Sequence, residues 1–345
     1  MATNATIPQI AEAAGVSTAT VDRVLNDRPG VNPETVKRVR DAMKTLGVEA
    51  PQRGRPRSSP QYRFGYVLPA TRLGFFDMVD RQIAQAAGEF RHQHITELTL
   101  RLDVADTHKY AAELSKLTDL DGIALLAPDV PAVKLVINEL VRAGVRVVTI
   151  FSDVPGSMRE TFIGADNRAA GRTAGLLMGR SVAAREGTRC ALFSPPTRFA
   201  AEIDRRIGYA QVLEERFPNI QLVRVPDMPE SEEESHAATL SHLSRKGTKN
   251  AIDGAYHVGA GTYGMTRALS ELGYFLPDFP VVAHDLTEMH RAMLVSGSVS
   301  YVLQQDIYYV VLTAARVLRG LCEGVRGALA VAQPQIEIIT AENLT

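Results

Sequence analysis

The sequence is poor in cysteine and contains no long apolar run, and each shortage excludes a class of protein. Only two cysteines occur among the 345 residues, Cys190 and Cys322, and no second ligand pair lies near either. Neither a disulfide framework nor a zinc site is therefore predicted. No apolar run reaches the 18 or so residues of a membrane span, and the amino terminus, MATNATIPQI, lacks the segments of a secretory signal. We expect a cytoplasmic protein that makes no contact with a membrane.

Net charge is almost absent as well, because 38 basic side chains oppose 39 acidic ones. That average argues against a nucleic-acid partner, but the charges are segregated along the chain. Residues 1–63 hold ten Lys and Arg against six Asp and Glu, whereas the remainder holds 28 against 33. Any attraction to an acidic partner is therefore confined to the amino-terminal end.

Hydrophobic periodicity changes character near residue 60. Before it, three short helical patterns follow one another; after it, short apolar segments alternate with amphipathic helices. Continuous apolar strands separated by helices indicate parallel sheets that are covered on both faces. About 280 residues exceed what one such sheet needs, so the fold class predicted is α/β with two subdomains, preceded by a small helical domain. The predicted strands lie within residues 64–69, 122–127, 145–151, 190–193, 251–256 and 281–284.

The amino-terminal patterns predict a helix-turn-helix. Thr6 and Gln9 fit a capping box, Gly15 supplies a tight turn, and Ser17 can cap a second helix whose outward side chains are small or polar. Such a helix can enter a major groove. A generic three-helix bundle is the alternative that the pattern alone leaves open.

The segment from Ile10 to Asn26, IAEAAGVSTATVDRVLN, followed by VNPETV, resembles the DNA-binding domain of the lac repressor family of bacterial transcription factors. The resemblance implies that Thr18 and Ala19 select bases, that Arg23 contacts a base edge, and that Ser17 and Asn26 hold the phosphate backbone. Thr6 and Thr20 complete the implied DNA-binding set. Asp22 departs from the usual serine, and its carboxylate either accepts from a cytosine amino group or pairs with a neighbouring arginine.

A basic linker follows at residues 49–61. In this family the segment usually folds on DNA into a hinge helix with a leucine wedge, but no leucine is present here, and three prolines oppose a helix. Arg53 to Pro56 instead matches the core of an AT-hook, in which Arg53 and Arg55 would lie along an A·T-rich minor groove. A flexible basic linker is the alternative.

The remainder, residues 62–345, resembles the type I periplasmic sugar-binding proteins. The resemblance implies subdomains at about 62–163 with 307–328 and at about 164–306 with 329–345, around a ligand cleft. Arg205, in an Arg-x-x-Gly-aromatic signature, is the strongest candidate, because its planar fork can grip two sugar hydroxyls. The resemblance also maps Phe75, Phe76, Asp285 and Gln305 to the ligand site. Ser152 and Asp153 are further candidates because they lie at a strand end, where ligands of open α/β sheets bind. Thr262 is a candidate because it stands where relatives often carry an Asn-Asp pair. The acidic stretch from Glu230 to Ser235 is interpreted as a solvated helix start.

One motif favours a different class of protein. Gly259, Gly261 and Gly264 fit the G-x-G-x-x-G dinucleotide fingerprint, and Asp285 follows at the spacing of a ribose-binding acid. An NAD-dependent oxidoreductase is therefore a second hypothesis, although the motif comes late in the chain and no acid–base or metal constellation accompanies it.

Together these patterns predict a DNA-binding regulator without enzymatic activity, cofactor or metal. We expect a homodimer, with a tetramer as a further possibility, that represses carbohydrate genes from a palindromic operator. A small sugar or polyol would be the effector. A sugar-binding module without regulation is a third reading, which the helix-turn-helix opposes.

Overall fold

A computed structural model describes residues 5–25, 30–46, 61–71, 73–90, 95–182, 186–196, 198–243, 251–275, 278–325 and 331–344. The chain forms two compact units, Met1–Gln61 and Tyr62–Thr345. In the described ranges, no helix is long and apolar enough to cross a membrane.

The first unit contains three helices, α1 (Ile7–Ala14), α2 (Thr18–Leu25) and α3 (Pro33–Thr45). Gly15 ends α1 at φ +64°, a left-handed conformation that glycine adopts without strain. The Ser17 hydroxyl accepts from the Thr20 amide at 3.2 Å and so caps α2. Ile7 in the first turn of α1 is 41% exposed, because the core begins one turn later. That core consists of Ile10, Ala11, Ala14, Val21, Val39, Ala42 and Met43.

The second unit has two sheets, and we call each sheet with the helices on it a half. The first sheet is entirely parallel, in the order β2-β1-β3-β4-β5. Its strands are β1 (Tyr62–Pro69), β2 (Ile95–Leu102), β3 (Gly122–Leu125), β4 (Arg146–Ile150) and β5 (Thr161–Ile163), and its helices are α4 (Gly74–Phe90), α5 (Thr107–Leu114) and α6 (Pro131–Arg142).

The second sheet has the order β11-β10-β9-β8-β6-β7 and is parallel except for its edge strand β11. Its strands are β6 (Arg189–Phe193), β7 (Gln221–Val225), β8 (Gly254–His257), β9 (Val281–His284), β10 (Tyr301–Gln305) and β11 (Ile336–Ile339). Its helices are α7 (Asn167–Ser181), α8 (Ala200–Arg216), α9 (Glu232–Leu243), α10 (Thr262–Glu271) and α11 (Glu288–Ser296).

Helix α12 (Ile307–Cys322) links the halves, because it follows β10 of the second sheet but packs on the first. Its apolar face, which includes Val310, Ala314 and Leu318, joins the core formed by Phe64 and Tyr66 of β1. The chain then returns to the second sheet at β11. The predicted α/β architecture of two parallel sheets after a helical domain is confirmed.

Helices α7 and α8 make an unusually close contact through glycine. A Cβ at Gly171 would overlap the carbonyl oxygen of Arg205, and a Cβ at Gly208 would overlap that of Arg168. Only glycine lets the two backbones approach this closely. The position of α8 in the second half is therefore fixed by direct backbone contact.

Candidate functional site

A cavity of about 940 Å³ lies between the two halves of the second unit. Residues that follow the carboxyl ends of strands from both sheets line it, including Thr71 after β1, Ser152 after β4, Gly259 after β8 and Asp285 after β9. In open parallel α/β sheets this edge is where ligands bind, because the loops there converge. Its size and position suit a small polar molecule.

Arg205 is the central basic group of the cavity and is only 8% exposed. Its Nε donates to Asn167 Oδ1 at 2.8 Å, and its Nη1 donates to the Val258 carbonyl at 3.1 Å. Asn167 in turn donates to the Phe151 carbonyl of the first half at 3.2 Å. Two nitrogens of the guanidinium are therefore held by hydrogen bonds, and no acceptor in the described part of the chain binds Nη2.

Gln305, Asp285 and Thr262 form a polar group on the same wall. The Gln305 amide nitrogen donates to Asp285 Oδ1 at 3.2 Å. Gln305 Oε1 and Thr262 Oγ1 are buried without a hydrogen-bond partner among the described residues. A buried polar atom without a partner is unfavourable, so both atoms indicate a missing ligand group or water.

The aromatic pair behaves differently at its two positions. Phe76 is only 7% exposed and belongs to the core of the first half, although it borders the cavity. Phe75 is half-buried, and its ring meets that of Phe151 edge-on with centroids 5.3 Å apart. The Phe75 ring therefore contacts the rings of both Phe76 and Phe151, and a stacking face for a ligand formed by Phe75 and Phe76 stays a prediction.

Asp153, predicted as a ligand residue, does not line the cavity. Arg159 donates to both of its carboxylate oxygens, at 2.5 and 2.6 Å, and Thr149 donates at 2.7 Å. Burial alone would raise the pKa of Asp153, but these hydrogen bonds outweigh it and lower that pKa. Ser152 does line the cavity, and its hydroxyl accepts from the Ala201 amide at 3.2 Å.

The start of α8 contacts the first half directly. Arg198 donates to the Val104 carbonyl and accepts from the Asp129 amide, both at 2.9 Å. The Phe199 ring packs against both cores of the first half. The bond from Ala201 to Ser152 adds a third link. The helix that carries Arg205 is thus anchored to both halves.

Three histidines lie at or near the polar wall, and two of them, His284 and His290, line the cavity. His257, His284 and His290 are buried, and His284 Nε2 lies 2.6 Å from the Tyr256 hydroxyl. Burial lowers the pKa of His257 to about 4 and also lowers the pKa of His284 and His290. All three imidazoles are therefore neutral at pH 7, so the wall gains no positive charge from them.

Glu202, which the sequence analysis missed, lies one turn before Arg205 and lines the cavity. Its Oε2 is buried and has no partner in the described ranges. Burial raises the pKa of Glu202 to about 8, helped by the nearby carboxyl of Glu230 and opposed by Arg205.

Glu230 was expected in a solvated helix start but is half-buried at the cavity, and burial raises its pKa too. The cavity therefore contains a pair of interacting carboxyls.

This environment predicts how stability depends on pH. Folded Glu202 keeps its proton up to about pH 8, whereas an unfolded glutamate releases it near pH 4.5. Its stabilising contribution is therefore complete below pH 4.5 and falls as the pH rises to 8, by at most about 1.4 kcal/mol per pH unit. Urea unfolding of wild type and Glu202→Gln from pH 5 to 8 should show a steeper decline for wild type. Parallel pH curves would contradict this assignment.

The glycine motif does not form a dinucleotide site. A Cβ at Gly264 would overlap the carbonyl oxygen of Glu232, and one at Gly261 would lie 2.8 Å from that of Pro229, so these glycines let neighbouring backbone approach α10. The amide of Gly264, at the helix start that would face a pyrophosphate, donates to Glu232 Oε2 at 2.6 Å. A carboxylate thus occupies the position of the anion.

The helix-turn-helix exposes most of its predicted DNA-binding residues. Thr6, Ser17, Thr18, Ala19 and Arg23 are exposed, whereas Thr20 and Asp22 are half-buried. The Thr20 hydroxyl lies 2.9 Å from that of Ser17, which restrains both. The remaining predicted residues, Asn26, Arg53 and Arg55, lie outside the described residues.

The fold and the cavity define a domain of the periplasmic-binding-protein type, which follows a helix-turn-helix unit along the chain. Residues 64–325 match the profile of the periplasmic binding protein domain, and residues 6–48 match that of the bacterial regulatory proteins of the lacI family. The chain belongs to the lacI family. Its second unit is a domain of the periplasmic-binding-protein type.

The relatives that match this chain agree with the family assignment. AglR, an HTH-type transcriptional regulator of Rhizobium meliloti (strain 1021), is 25% identical over 285 residues, which cover 81% of this chain and 77% of AglR. MalR, an HTH-type transcriptional regulator of Streptococcus pneumoniae serotype 4, is 33% identical over 142 residues, 39% of this chain and less than half of MalR, 43%. GanP, a glucose-galactose binding protein from Geobacillus stearothermophilus, shares the fold with a TM-score of 0.72 at 18% identity, covering 83% of this chain and 99% of GanP.

Proposed function

We propose that this regulator is a cytoplasmic repressor of carbohydrate uptake or catabolism genes, that it binds a palindromic operator as a homodimer, and that a small sugar or polyol controls it. The observation that carries the proposal is the cavity at the strand ends of both sheets, with Arg205 buried in its wall. The glucose-galactose binding by the structural neighbour GanP supports a carbohydrate effector.

The cavity suits a hydroxyl-rich ligand. Arg205 offers planar donors, Gln305 and Thr262 contribute oxygen atoms that lack partners, and the Phe75 ring offers an apolar face. Sugars combine hydroxyl groups with an apolar ring face, and such a wall complements both. A ligand bound between the halves would change their relative angle.

Control of DNA binding then follows from a difference in affinity. A ligand that prefers one arrangement of the halves shifts the equilibrium by that preference alone, on the order of 1 to 3 kcal/mol. The direct test is a thermal-shift screen of neutral sugars and polyols, followed by operator affinity with and without each compound that stabilises the protein. A sugar that stabilises the protein without changing operator affinity would contradict the proposal.

For DNA, the proposal assigns base contacts to Thr18, Ala19 and Arg23 and backbone contacts to Ser17 and Asn26. One helix-turn-helix reads only a few base pairs, so a two-fold symmetric dimer is needed for useful affinity. The exposure of Thr18, Ala19 and Arg23 on α2 supports this assignment.

Arg23→Ala should weaken binding to the operator by about 1 to 3 kcal/mol. The difference in affinity between the operator and random DNA should become smaller. The reason is that an arginine at a base edge carries sequence information, whereas a phosphate contact does not. Fluorescence anisotropy on an operator selected from a random library measures both affinities. Arg40→Ala, which removes the same charge from an exposed position of α3, is the matched control. Equal weakening on both DNAs would reduce Arg23 to a phosphate contact.

A further inference from the structure

The lining of the cavity is strongly acidic for a neutral-sugar site. Eight carboxyl side chains border it against three guanidinium groups, and no lysine does so. The acidic residues are Asp77, Glu202, Glu230, Glu232, Glu233, Glu234, Asp285 and Glu288, and the basic ones are Arg81, Arg198 and Arg205. This imbalance makes the interior favourable for a cation.

The exposed acidic side chains at the mouth of the cavity contribute least to the attraction of a cation, because water screens their charge. Asp77, Glu233, Glu234 and Glu288 are exposed, as is Arg81. Four acidic residues lie deeper, and two of these are already bonded within the protein. Glu232 accepts from the Gly264 amide, and Asp285 accepts from Gln305.

The other two deep carboxyls, Glu202 and Glu230, are not bonded to a counter-ion, although Arg205 and Arg206 act on Glu202 and Arg198 acts on Glu230. In the described part of the chain, no side chain donates a hydrogen bond to either, and neither forms an ion pair. Arg205, on the same helix as Glu202, is committed to Asn167 and Val258. The charged groups acting on Glu202 are Glu230, from the loop before α9, and Arg205 and Arg206 on its own helix. The negative charge of Glu230 raises the pKa of Glu202, and a cation bound beside both carboxyls would lower that pKa.

A second and independent feature points to a ligand at the same wall. Thr262 is 1% exposed and Gln305 is 3% exposed, and each keeps an oxygen atom without a partner. These oxygens match hydroxyl groups, whereas Glu202 and Glu230 match a positive charge. The wall is therefore complementary to a molecule that carries both.

We propose that the effector is an amino sugar or amino polyol and that Glu202 and Glu230 bind its ammonium group, while Arg205, Thr262 and Gln305 bind its hydroxyl groups. The inference rests on the proposed function, since it specifies the ligand of the same cavity. An ammonium group has three donors, enough to bridge both carboxylates, and hydrogen bonds between charged partners are the stronger kind. A hydroxyl in the same place offers one donor and no charge.

The test compares sugars that differ only in this group. Isothermal titration of the full-length protein at pH 7 with D-glucosamine and D-glucose, D-galactosamine and D-galactose, and D-mannosamine and D-mannose gives the affinity ratio within each pair. The amino member of the pair that binds should be tighter by about tenfold or more. Binding that ionises Glu202 should also release protons, seen as a heat that depends on the buffer.

Two variants locate the effect. Glu202→Gln keeps the shape and removes one of the two charges, so it should clearly lower the affinity ratio within the binding pair and reduce the buffer dependence, while Glu230 retains part of the preference. Glu214→Gln removes the same charge from an exposed position of the same helix and should leave the ratio unchanged. Circular dichroism and operator binding verify that both variants are folded.

Each other outcome has a defined meaning. A neutral sugar that binds as tightly as its amino partner overturns the inference and leaves the proposed function standing. An amino preference that Glu202→Gln leaves undiminished overturns the assignment to this carboxyl pair. If no member of any pair binds, the carbohydrate effector itself is contradicted, and the inference fails with it.

Discussion

Replacing Arg205 by alanine is expected to abolish the ligand response while operator binding in the absence of ligand stays intact. The guanidinium is buried, two of its nitrogens are held by Asn167 and Val258, and the planar fork suits adjacent hydroxyls. Its removal deletes charge-assisted bonds to the ligand and leaves Asn167 and Val258 without their donor. We expect effector affinity to fall by about 100-fold or more.

Isothermal titration with the effector and anisotropy on the operator separate the two activities. Arg205→Lys keeps the positive charge but lacks the planar guanidinium group. It should therefore recover only a small part of the effector affinity that Arg205→Ala loses. Arg206→Ala, which changes the adjacent residue that does not line the cavity, is the control. If Arg205→Ala instead destroyed operator binding together with the fold, Arg205 would be a structural residue.

Gly208→Ala is expected to destabilise the second unit by about 3 kcal/mol or more, although alanine normally stabilises a helix interior. The added Cβ would overlap the Arg168 carbonyl oxygen, a backbone atom that cannot rotate away. The Cβ added by Gly171→Ala would overlap the Arg205 carbonyl oxygen, so this variant should be destabilised to a similar extent. The helices would have to separate, which would displace Arg205 and weaken ligand binding as well.

Gly175 provides a graded comparison along the same contact. Its added Cβ would lie 3.0 Å from the Tyr209 carbonyl oxygen, so a small shift relieves the contact. Urea unfolding should therefore rank Gly208→Ala and Gly171→Ala as the most damaging and Gly175→Ala as milder. A stabilised Gly208→Ala variant would show that the helices are not in backbone contact.

The sequence allowed the central strands to be predicted but not the edges of the sheets. β3, β4, β8 and β9 are almost entirely buried, so their apolar runs are continuous. β2 and β7 expose part of their side chains, and the antiparallel β11 is mostly exposed, so polar residues interrupt their patterns. Edge strands owe their conformation to backbone pairing, which leaves little trace in side-chain hydrophobicity.

The site was predictable where a strand end or a helix signature marked it. Ser152, Arg205, Thr262, Asp285 and Gln305 border one cavity. Asp153 could not be placed correctly, because the chain turns at Phe151, whose φ is +60°, and Arg159 then occupies its carboxylate. The spacing of three residues before Arg205 was the available signal for Glu202, since such positions share a helix face. Nothing in the local sequence marks Asn167, whose role depends on contacts distant in the chain.

The anchoring of α8 to the first half has a mechanical meaning. Any rotation of the halves must break the bonds of Arg198 and Ala201 and withdraw Phe199 from its packing. Because such contacts are made or lost together, we expect a switch between two arrangements of the halves and not a continuous bend. Under the proposed function, the strength of these contacts sets how often the ligand-free protein adopts its other arrangement, and hence the background expression of its target genes. The cavity sets only which molecule can change that balance.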